Sequence, residues 1–425
     1  MSEAKKQVII GNSAAGLSAV KAIRKKGCSS PITLISAENC NAYSPVLTIY
    51  YISHKIDRDS LFIADERFYR DYNVRTKLGN RAVGIDPSKQ VVYLEDDTIV
   101  EYDNLLIATG ASAKSPDNIE TDASEYVSTL RTIEDAKKII KLSKDAKEIV
   151  VLGAGLVSLQ AANAIFKEGV KVTFVVGSKQ ILSQNIDAEC AAIIQRRLES
   201  RGALFLFVRD VRGIKREGNK AYVGTSSGEE LPADLVVVGK GVKPNTELVV
   251  NSGVEVNEGI LVDESMRTNI ENIFAAGDVA EGKDLISGKT EVIANWPNAC
   301  IQGEIAGLNM AGYLVRRKGQ FKENITTLLG LTVASIGLSK SQNGNFEELK
   351  YINPQREVYS KFLLDGNKII GAVLLGKIQD VGVIRNCIEN GIDISPWKDR
   401  IARAPLDFAR ILCAYPSAAQ LQSPP

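Results

Sequence analysis

The stretch Gln7-Val8-Ile9-Ile10-Gly11-Asn12-Ser13-Ala14-Ala15-Gly16-Leu17-Ser18-Ala19-Val20 decides how the rest of the chain is read. Gln7 to Ile10 is a short run suited to a buried strand. The small residues Gly11 to Gly16 break it, and Leu17 to Ile23 has helical apolar spacing. Arg24 to Lys26 put positive charge at the helix end, where the backbone dipole favours it, and Gly27 closes the helix. Ile32-Thr33-Leu34-Ile35 then begins a second strand that ends near Glu38. The glycines mark Val8 to Val20 as strand, turn and helix rather than the apolar core of a secretion signal.

The pattern recurs. Ile149-Val150-Val151-Leu152 leads into Gly153-Ala154-Gly155-Leu156-Val157-Ser158, a helix follows to about Lys167, Gly169 ends it, and Val170 to Val176 is the next strand. A strand that runs through G-x-G-x-x-G into a helix presents backbone N–H groups and the positive helix end to a pyrophosphate. Gly153 and Gly155 keep the first two glycines, and Ser158 takes the third place. In the first unit Ser13 replaces the middle glycine. Either turn alone also fits a bare βα connection, whereas two in one chain read as two dinucleotide-binding domains.

An acid near the end of the second strand holds an adenosine ribose in such units. Glu38 is close to that place in the first. The second ends Val176-Gly177-Ser178-Lys179 with no acid, so Ser178 and Lys179 could receive a 2′-phosphate, or Lys179 is a solvated loop lysine. Asp278, after Ile273-Phe274-Ala275-Ala276-Gly277, could accept a ribityl hydroxyl or cap a following helix.

Composition removes other classes. The 425 residues carry 52 Lys and Arg against 51 Asp and Glu, a net charge of +1, without the basic surplus of a nucleic-acid binder. No apolar run is long enough for a membrane helix. His54 is the one histidine, which leaves almost no room for a His-rich metal site or for a Ser-His-Asp triad away from it. The six cysteines form no C-x-x-C, so neither a metal site nor a vicinal redox pair is expected, and scattered thiols fit the cytoplasm.

Leu105-Leu106-Ile107-Ala108-Thr109-Gly110 is a further buried strand with a small-residue turn. Leu235 to Gly239 leads to Val242-Lys243-Pro244-Asn245, a Pro-Asn turn suited to a domain crossing. The expected class is α/β, with two Rossmann-like dinucleotide-binding domains and a C-terminal α+β interface domain. The first domain is discontinuous, residues 1–115 and 245–323, with the second, 116–244, inserted. The interface domain spans 324–415, and 416–425 reads as a flexible tail.

These motifs, with Tyr102-Asp103-x-Leu105 to Gly110 and Phe274 to Asp278, resemble the pyridine nucleotide–disulfide oxidoreductase superfamily over nearly the whole chain. Trp296-Pro297-Asn298-Ala299-x-x-Gln302-Gly303 and Asn324-Ile325-Thr326-Thr327 resemble its branch of rubredoxin reductases and nitrite-reductase flavin modules. That branch also holds the flavin subunits of phenylglyoxylate and tungsten aldehyde oxidoreductase complexes, which Tyr43-Ser44-Pro45 and Gly153 to Ser158 resemble too. The resemblance implies FAD, with its pyrophosphate at Gly11, Ser13 and Gly16 and its adenosine ribose at Glu38. It places Thr109, Gly110 and Asp278 along the pyrophosphate and ribityl chain, with Arg131 approaching them. Trp296 to Ala299 would open a helix toward the flavin. Gly153, Gly155 and Ser158 would take NAD(H), with NADP(H) possible. Gln160, where many members have glutamate, would bond the carboxamide, or is a surface helix residue. The implied contact set is completed by Ala14, Ala15, Val83, Ala108, Leu156, Val157, Gly241, Gly277 and Asn298.

Thiol-using members carry cysteine near the position of Val46; Cys40 is out of register, and Ile49 replaces a lysine of the rubredoxin-reductase branch. The expected function is therefore an FAD-dependent NAD(P)H oxidoreductase subunit in which hydride passes directly to flavin with no side-chain acid or base. Its expected partners are an iron–sulfur protein and a larger oxidoreductase subunit, with a homo-dimer or hetero-oligomer formed through the C-terminal domain. A stand-alone NADH oxidase, peroxidase or disulfide reductase relying on Cys40 is the alternative enzyme, and a flavin-bearing scaffold without turnover is the non-enzymatic one.

Overall fold

The computed structural model describes residues 5–114, 121–341 and 346–402. The expected boundary at 115/116 and the tail 416–425 lie outside them. Helices run, in chain order, α1 (Ala14–Lys25), α2 (Thr48–Ile52), α3 (Glu66–Asp71), α4 (Ile133–Ser143), α5 (Leu156–Ile165), α6 (Ala188–Glu199), α7 (Trp296–Met310) and α8 (Val381–Asn390). The chain divides into two compact units. One holds Met1–Lys114, Arg131–Ala136 and Gly241–Gln320; the other holds Ser115–Leu130, Lys137–Lys240 and Phe321–Pro425.

The first unit is built on a parallel sheet in the order Ile273–Ala275, Asn104–Ile107, Gln7–Ile10, Ile32–Ser36, Val74–Leu78. Successive neighbours lie on opposite sides of Gln7–Ile10, so the strand order reverses there, and the crevice at that strand's carboxyl end is where such sheets bind ligands. Burial on both faces explains the unbroken apolar runs in the strands. α1 and α7 cover one face and close the cluster of Ile9, Leu34, Leu106 and Phe274. The two helices meet backbone to backbone: a Cβ on Gly303 would stand 2.1 Å from the Ala15 carbonyl oxygen, and one on Gly307 2.5 Å from that of Ala19. The Pro-Asn segment expected to turn is instead the strand Val242–Pro244, antiparallel to Ala111–Ala113.

The second unit repeats the plan, in the order Ala203–Phe207, Lys171–Val176, Glu148–Leu152, Leu235–Val238, Val127–Ser128, all parallel. Its reversal point is Glu148–Leu152, immediately before Gly153. It also contains a five-stranded antiparallel sheet, Glu323–Leu328, Leu331–Gly337, Lys368–Leu375, Val358–Asp365, Glu347–Asn353, with α8 against it. That sheet is fastened to the start of α6 by a buried ionic group. The Lys361 side chain, only 3% exposed, reaches Asp187 Oδ2 at 2.7 Å, and the Tyr359 hydroxyl donates to the same oxygen at 2.5 Å. Asp187 Oδ1 also accepts the Cys190 amide at 3.1 Å and so caps α6. Burial alone would raise the Asp187 pKa, but Lys361, Tyr359 and the Cys190 amide together hold it below the usual carboxylate value.

Two predictions follow from this packing. Gly303→Ala must force α1 and α7 apart and is expected to cost about 2–3 kcal/mol. Gly382→Ala in α8, where a Cβ meets nothing within 4 Å, gains about 0.5 kcal/mol; urea midpoints compare the pair. Because the folded state depresses the Asp187 pKa, its stabilisation is complete above about pH 4 and is lost as pH falls through the folded value. Asp187→Asn is expected to abolish that part of the acid dependence and to cost about 3 kcal/mol at pH 7, since buried Lys361 loses its nearest counter-charge and keeps only Glu348 Oε1 at 3.8 Å; denaturation across pH 2.5–7 measures both, on the order of the range carboxylates titrate in.

Candidate dinucleotide-binding sites

At the first unit the chain leaves Ile10 in a conformation that only glycine enters freely: Gly11 has φ 129°, and a Cβ there would lie 2.0 Å from the Ala108 carbonyl oxygen. Gly16 is equally tight against Gly11, at 2.0 Å, so the start of α1 folds directly over the strand end. Ser13 is the N-cap residue, yet its side chain caps nothing, and the first turn contains no acid. The leading N–H groups of α1 are thus left without side-chain partners, as an anion site requires. Asn12 is fixed beside them, its Oδ1 accepting from the Tyr69 hydroxyl at 2.9 Å and its Nδ2 donating to the Cys40 carbonyl at 3.4 Å.

The other strand ends bring the remaining first-unit residues to the same edge of the sheet. Glu38 follows Ile32–Ser36 and is exposed, with its Oε1 accepting from the buried Tyr43 hydroxyl at 3.0 Å. Partial burial of the carboxyl raises its pKa, against the lowering effect of Tyr43 and Arg131. Thr109 and Gly110 follow Asn104–Ile107 and are clamped by Asn245: its Nδ2 donates to the Thr109 carbonyl at 2.9 Å, its N to that of Gly110 at 2.9 Å, and the Thr109 hydroxyl donates back at 2.8 Å. Asn245 belongs to this site and was not singled out in the sequence, although its Pro-Asn dipeptide stood out.

Gly277 and Asp278 follow Ile273–Ala275. The Gly277 amide donates to Gln302 Oε1 of α7 at 2.6 Å. Asp278 is not a helix cap, because a turn and the strand Ala280–Lys283 come after it. Its Oδ2 instead receives Arg131 Nη2 at 2.7 Å. Arg131 is placed by a reciprocal cap at the start of α4: Asp135 Oδ2 accepts the Arg131 amide at 2.8 Å, and Thr132 Oγ1 accepts the Asp135 amide at 3.1 Å. Its Nη2 would also lie 3.6 Å from a Cβ on Gly110, so the guanidinium sits beside the Gly110 turn. Ala14, Ala15 and Ala108 line the turn. Val83 lies apart in the strand Ala82–Asp86, exposed at a bulge. α7 begins at Trp296, but Asn295 Oδ1 already accepts the Asn298 amide at 2.9 Å, so one donor of that helix end is taken.

At the second unit Gly153 has φ 98° and Gly155 is an N-cap residue without a side-chain bond, again with no acid in the first turn. Leu156 and Val157 open α5. The Ser158 hydroxyl lies under the turn, 3.3 Å from where a Cβ on Gly153 would stand. The residue is fully buried and its Oγ donates to the Gly239 carbonyl at 3.2 Å. A Cβ on Gly239 would lie 2.0 Å from that Oγ, so the glycine missing at position 158 is supplied by the facing strand end. Gln160 Nε2 donates to Thr326 at 2.9 Å and ties α5 to the antiparallel sheet. Ser178 Oγ donates to the Gln180 carbonyl at 2.7 Å, Lys179 is exposed, and Gly241 is exposed with φ 95° in the first unit.

Among the described residues no cluster of three or more His, Cys, Asp and Glu is arranged to hold a metal, and no helix is long and apolar enough to cross a membrane. Among them, no cysteine forms a disulfide. Cys40 packs against the apolar cluster of Tyr43, Leu61 and Ile133.

The family described as pyridine nucleotide-disulphide oxidoreductase matches residues 5–303, and the rubredoxin NAD+ reductase C-terminal domain matches 324–392. The chain is 33% identical over 411 residues to the NADH-dependent phenylglyoxylate dehydrogenase subunit epsilon of Aromatoleum evansii, covering 95% of this chain and 96% of that one. It is 31% identical to the rubredoxin-NAD(+) reductase of Pseudomonas putida, over 72% of this chain and 80% of the relative. Among solved structures, the ferredoxin reductase for the CYP199A2 system of Rhodopseudomonas palustris superposes with a TM-score of 0.87 at 25% identity, covering 96% of this chain and 99% of that one. These matches make the chain an FAD- and NAD(H)-binding oxidoreductase. The open, acid-free starts of α1 and α5 fit the two pyrophosphates.

Glu38 gives a test with two readouts. At neutral pH its partly buried charge is a cost to the cofactor-free fold, because the folded-state pKa is raised. Glu38→Gln is therefore expected to raise the thermal midpoint of the FAD-free chain at pH 7, with the difference vanishing below the usual carboxylate range, while weakening FAD retention.

Proposed function

The chain belongs to the pyridine nucleotide–disulphide oxidoreductase family, and on that premise we propose that it passes electrons between NAD(H) and an iron–sulfur protein, as the NAD(+)-reducing subunit of an aldehyde or 2-oxoacid oxidoreductase complex. In this reading Gly11, Ser13, Gly16 and the first turn of α1 hold the FAD pyrophosphate, Glu38 its adenosine ribose, and Asp278 its ribityl chain. Arg131 holds Asp278 in place and brings positive charge to the same edge. Asn245 fixes the Thr109-Gly110 turn, and Gln302 fixes Gly277, so the cradle is set before the cofactor arrives. Gly153, Gly155 and the start of α5 take the nucleotide. Ser158 keeps α5 close to Gly239 rather than touching it. Bound FAD would supply the one chemical capacity the side chains lack, exchanging electrons in pairs with NAD(H) and singly with the iron–sulfur partner.

The observation that carries the proposal is the state of sulfur around this cradle. Val46, at the position where thiol-using relatives are expected to carry cysteine, is 52% exposed, and Cys40 is half-buried against an apolar cluster. Among the described residues no cysteine stands at the Val46 position, which supports electrons passing to another protein. Resemblance to the Aromatoleum evansii subunit across 95% of this chain supports a multi-subunit setting. Region 324–415 is the part left to dock the partner or a second copy.

Anaerobic mixing of the FAD-loaded chain with NADH is expected to bleach the flavin absorbance without a lag, and Cys40→Ser is expected to bleach at the wild-type rate. A flavin that keeps its colour, or a Cys40→Ser variant that loses turnover, contradicts the proposal.

A further inference from the structure

The strand Lys171–Val176 ends without the acid that would meet an adenosine ribose, and Gly177-Ser178-Lys179 follow. The neighbouring strand restores one. Ala203–Phe207 runs parallel to it with Val176 opposite Phe207, and pairing continues beyond both ends. The Val208 amide donates to the Ser178 carbonyl at 3.3 Å and the Arg209 amide to that of Val176 at 3.1 Å. Val208 has a left-handed φ of 55°, an unusual conformation for a β-branched residue. The next carboxylate comes to rest beside Gly177: a Cβ built there would stand 3.2 Å from Asp210 Oδ1.

Asp210 is anchored by its main chain, whose N donates to Ser226 Oγ at 3.1 Å and whose carbonyl accepts the Ser226 amide at 2.7 Å. Its exposed carboxylate takes no hydrogen bond or ion pair among the described residues. The nearest basic residue in sequence is turned elsewhere. Arg209 Nε faces Glu229 at 3.4 Å, and its Nη1 donates to the carbonyls of Phe207 and Val208 at 3.3 and 3.2 Å. Ser178, which the sequence offered as a phosphate ligand, spends its proton on Gln180. Lys179 is the cation left at this strand end.

We propose that Asp210 selects NAD(H) over NADP(H), in place of the acid missing from the strand Lys171–Val176. This rests on reading the Gly153 turn as the NAD(H) site. A carboxylate beside Gly177 accepts hydrogen bonds from a free ribose diol and repels a 2′-phosphate, so one group both attracts the right nucleotide and rejects the wrong one. Gly177 is the residue that leaves it room. The absence of an acid at Val176, which on its own points toward NADP(H), is thereby reversed.

The test is equilibrium titration of the FAD-loaded chain with NADH and with NADPH, for wild type, Asp210→Asn and Asp210→Ala. Wild type is expected to favour NADH, and both variants to reduce the NADH-to-NADPH affinity ratio about tenfold or more, as like-charge repulsion at a contact implies, with unfolding midpoints unchanged. A ratio that does not move, or a wild type that favours NADPH, overturns the role of Asp210 while leaving the nucleotide site intact. If wild type binds neither nucleotide, the assignment of the Gly153 turn falls and this selection falls with it.

Discussion

A helix end leaves its first N–H groups without partners inside the helix, and a folded chain must find something to satisfy them. This protein does so with side chains at several helices: Asp65 caps α3, Asp187 caps α6, Asn295 caps α7, and Thr132 with Asp135 closes the start of α4. At α1 and α5, as at α2 and α8, it uses neither a side-chain cap nor an acid in the first turn, and α1 and α5 are the pair that follow glycine turns at the ends of central strands. Both helices start directly over the central strand of a parallel sheet, where glycine lets the chain fold back tightly enough for amides to point outward. The dipole of each helix adds to the same preference for an anion. The rest of each unit positions and supports such an end.

That support consists of polar clamps between strand ends. Asn245 holds the Thr109-Gly110 turn by three hydrogen bonds, Gln302 holds Gly277, and Arg131 holds Asp278. In the second unit Ser158 and Gly239 bring α5 onto its sheet, and Asp187, Lys361 and Tyr359 fasten the antiparallel sheet to α6. Each clamp orders a loop before any ligand arrives, which lowers the cost of binding.

The strands and helices around Gly11 and Gly153 were legible because they are local. Gln7–Ile10, Ile32–Ser36, Glu148–Leu152 and Leu235–Val238 are apolar runs bounded by glycine or charge, and they fold where the pattern places them. What the sequence concealed is non-local. Nothing near Ser158 says that Gly239 stands in for the third glycine, and nothing near Val176 says that Asp210 approaches from the next strand. Nothing near Gln160 says that its amide donates to Thr326 of the antiparallel sheet, far along the chain. Asp278 left a helix cap open as the lesser reading until the strand after it removed that choice. Spacing along the chain tells where a turn must be, while sheet order decides which distant side chain reaches it.

Two separate anion cradles, each built on its own glycine turn, can be pulled apart by substitution. Gly11→Val and Gly153→Val should each damage one turn, and binding of FAD and of ADP-ribose should be titrated independently on both variants. The account predicts that Gly11→Val loses FAD and keeps ADP-ribose, and that Gly153→Val does the reverse. Simultaneous loss of both ligands by either variant with its fold intact, or retention of both, contradicts it.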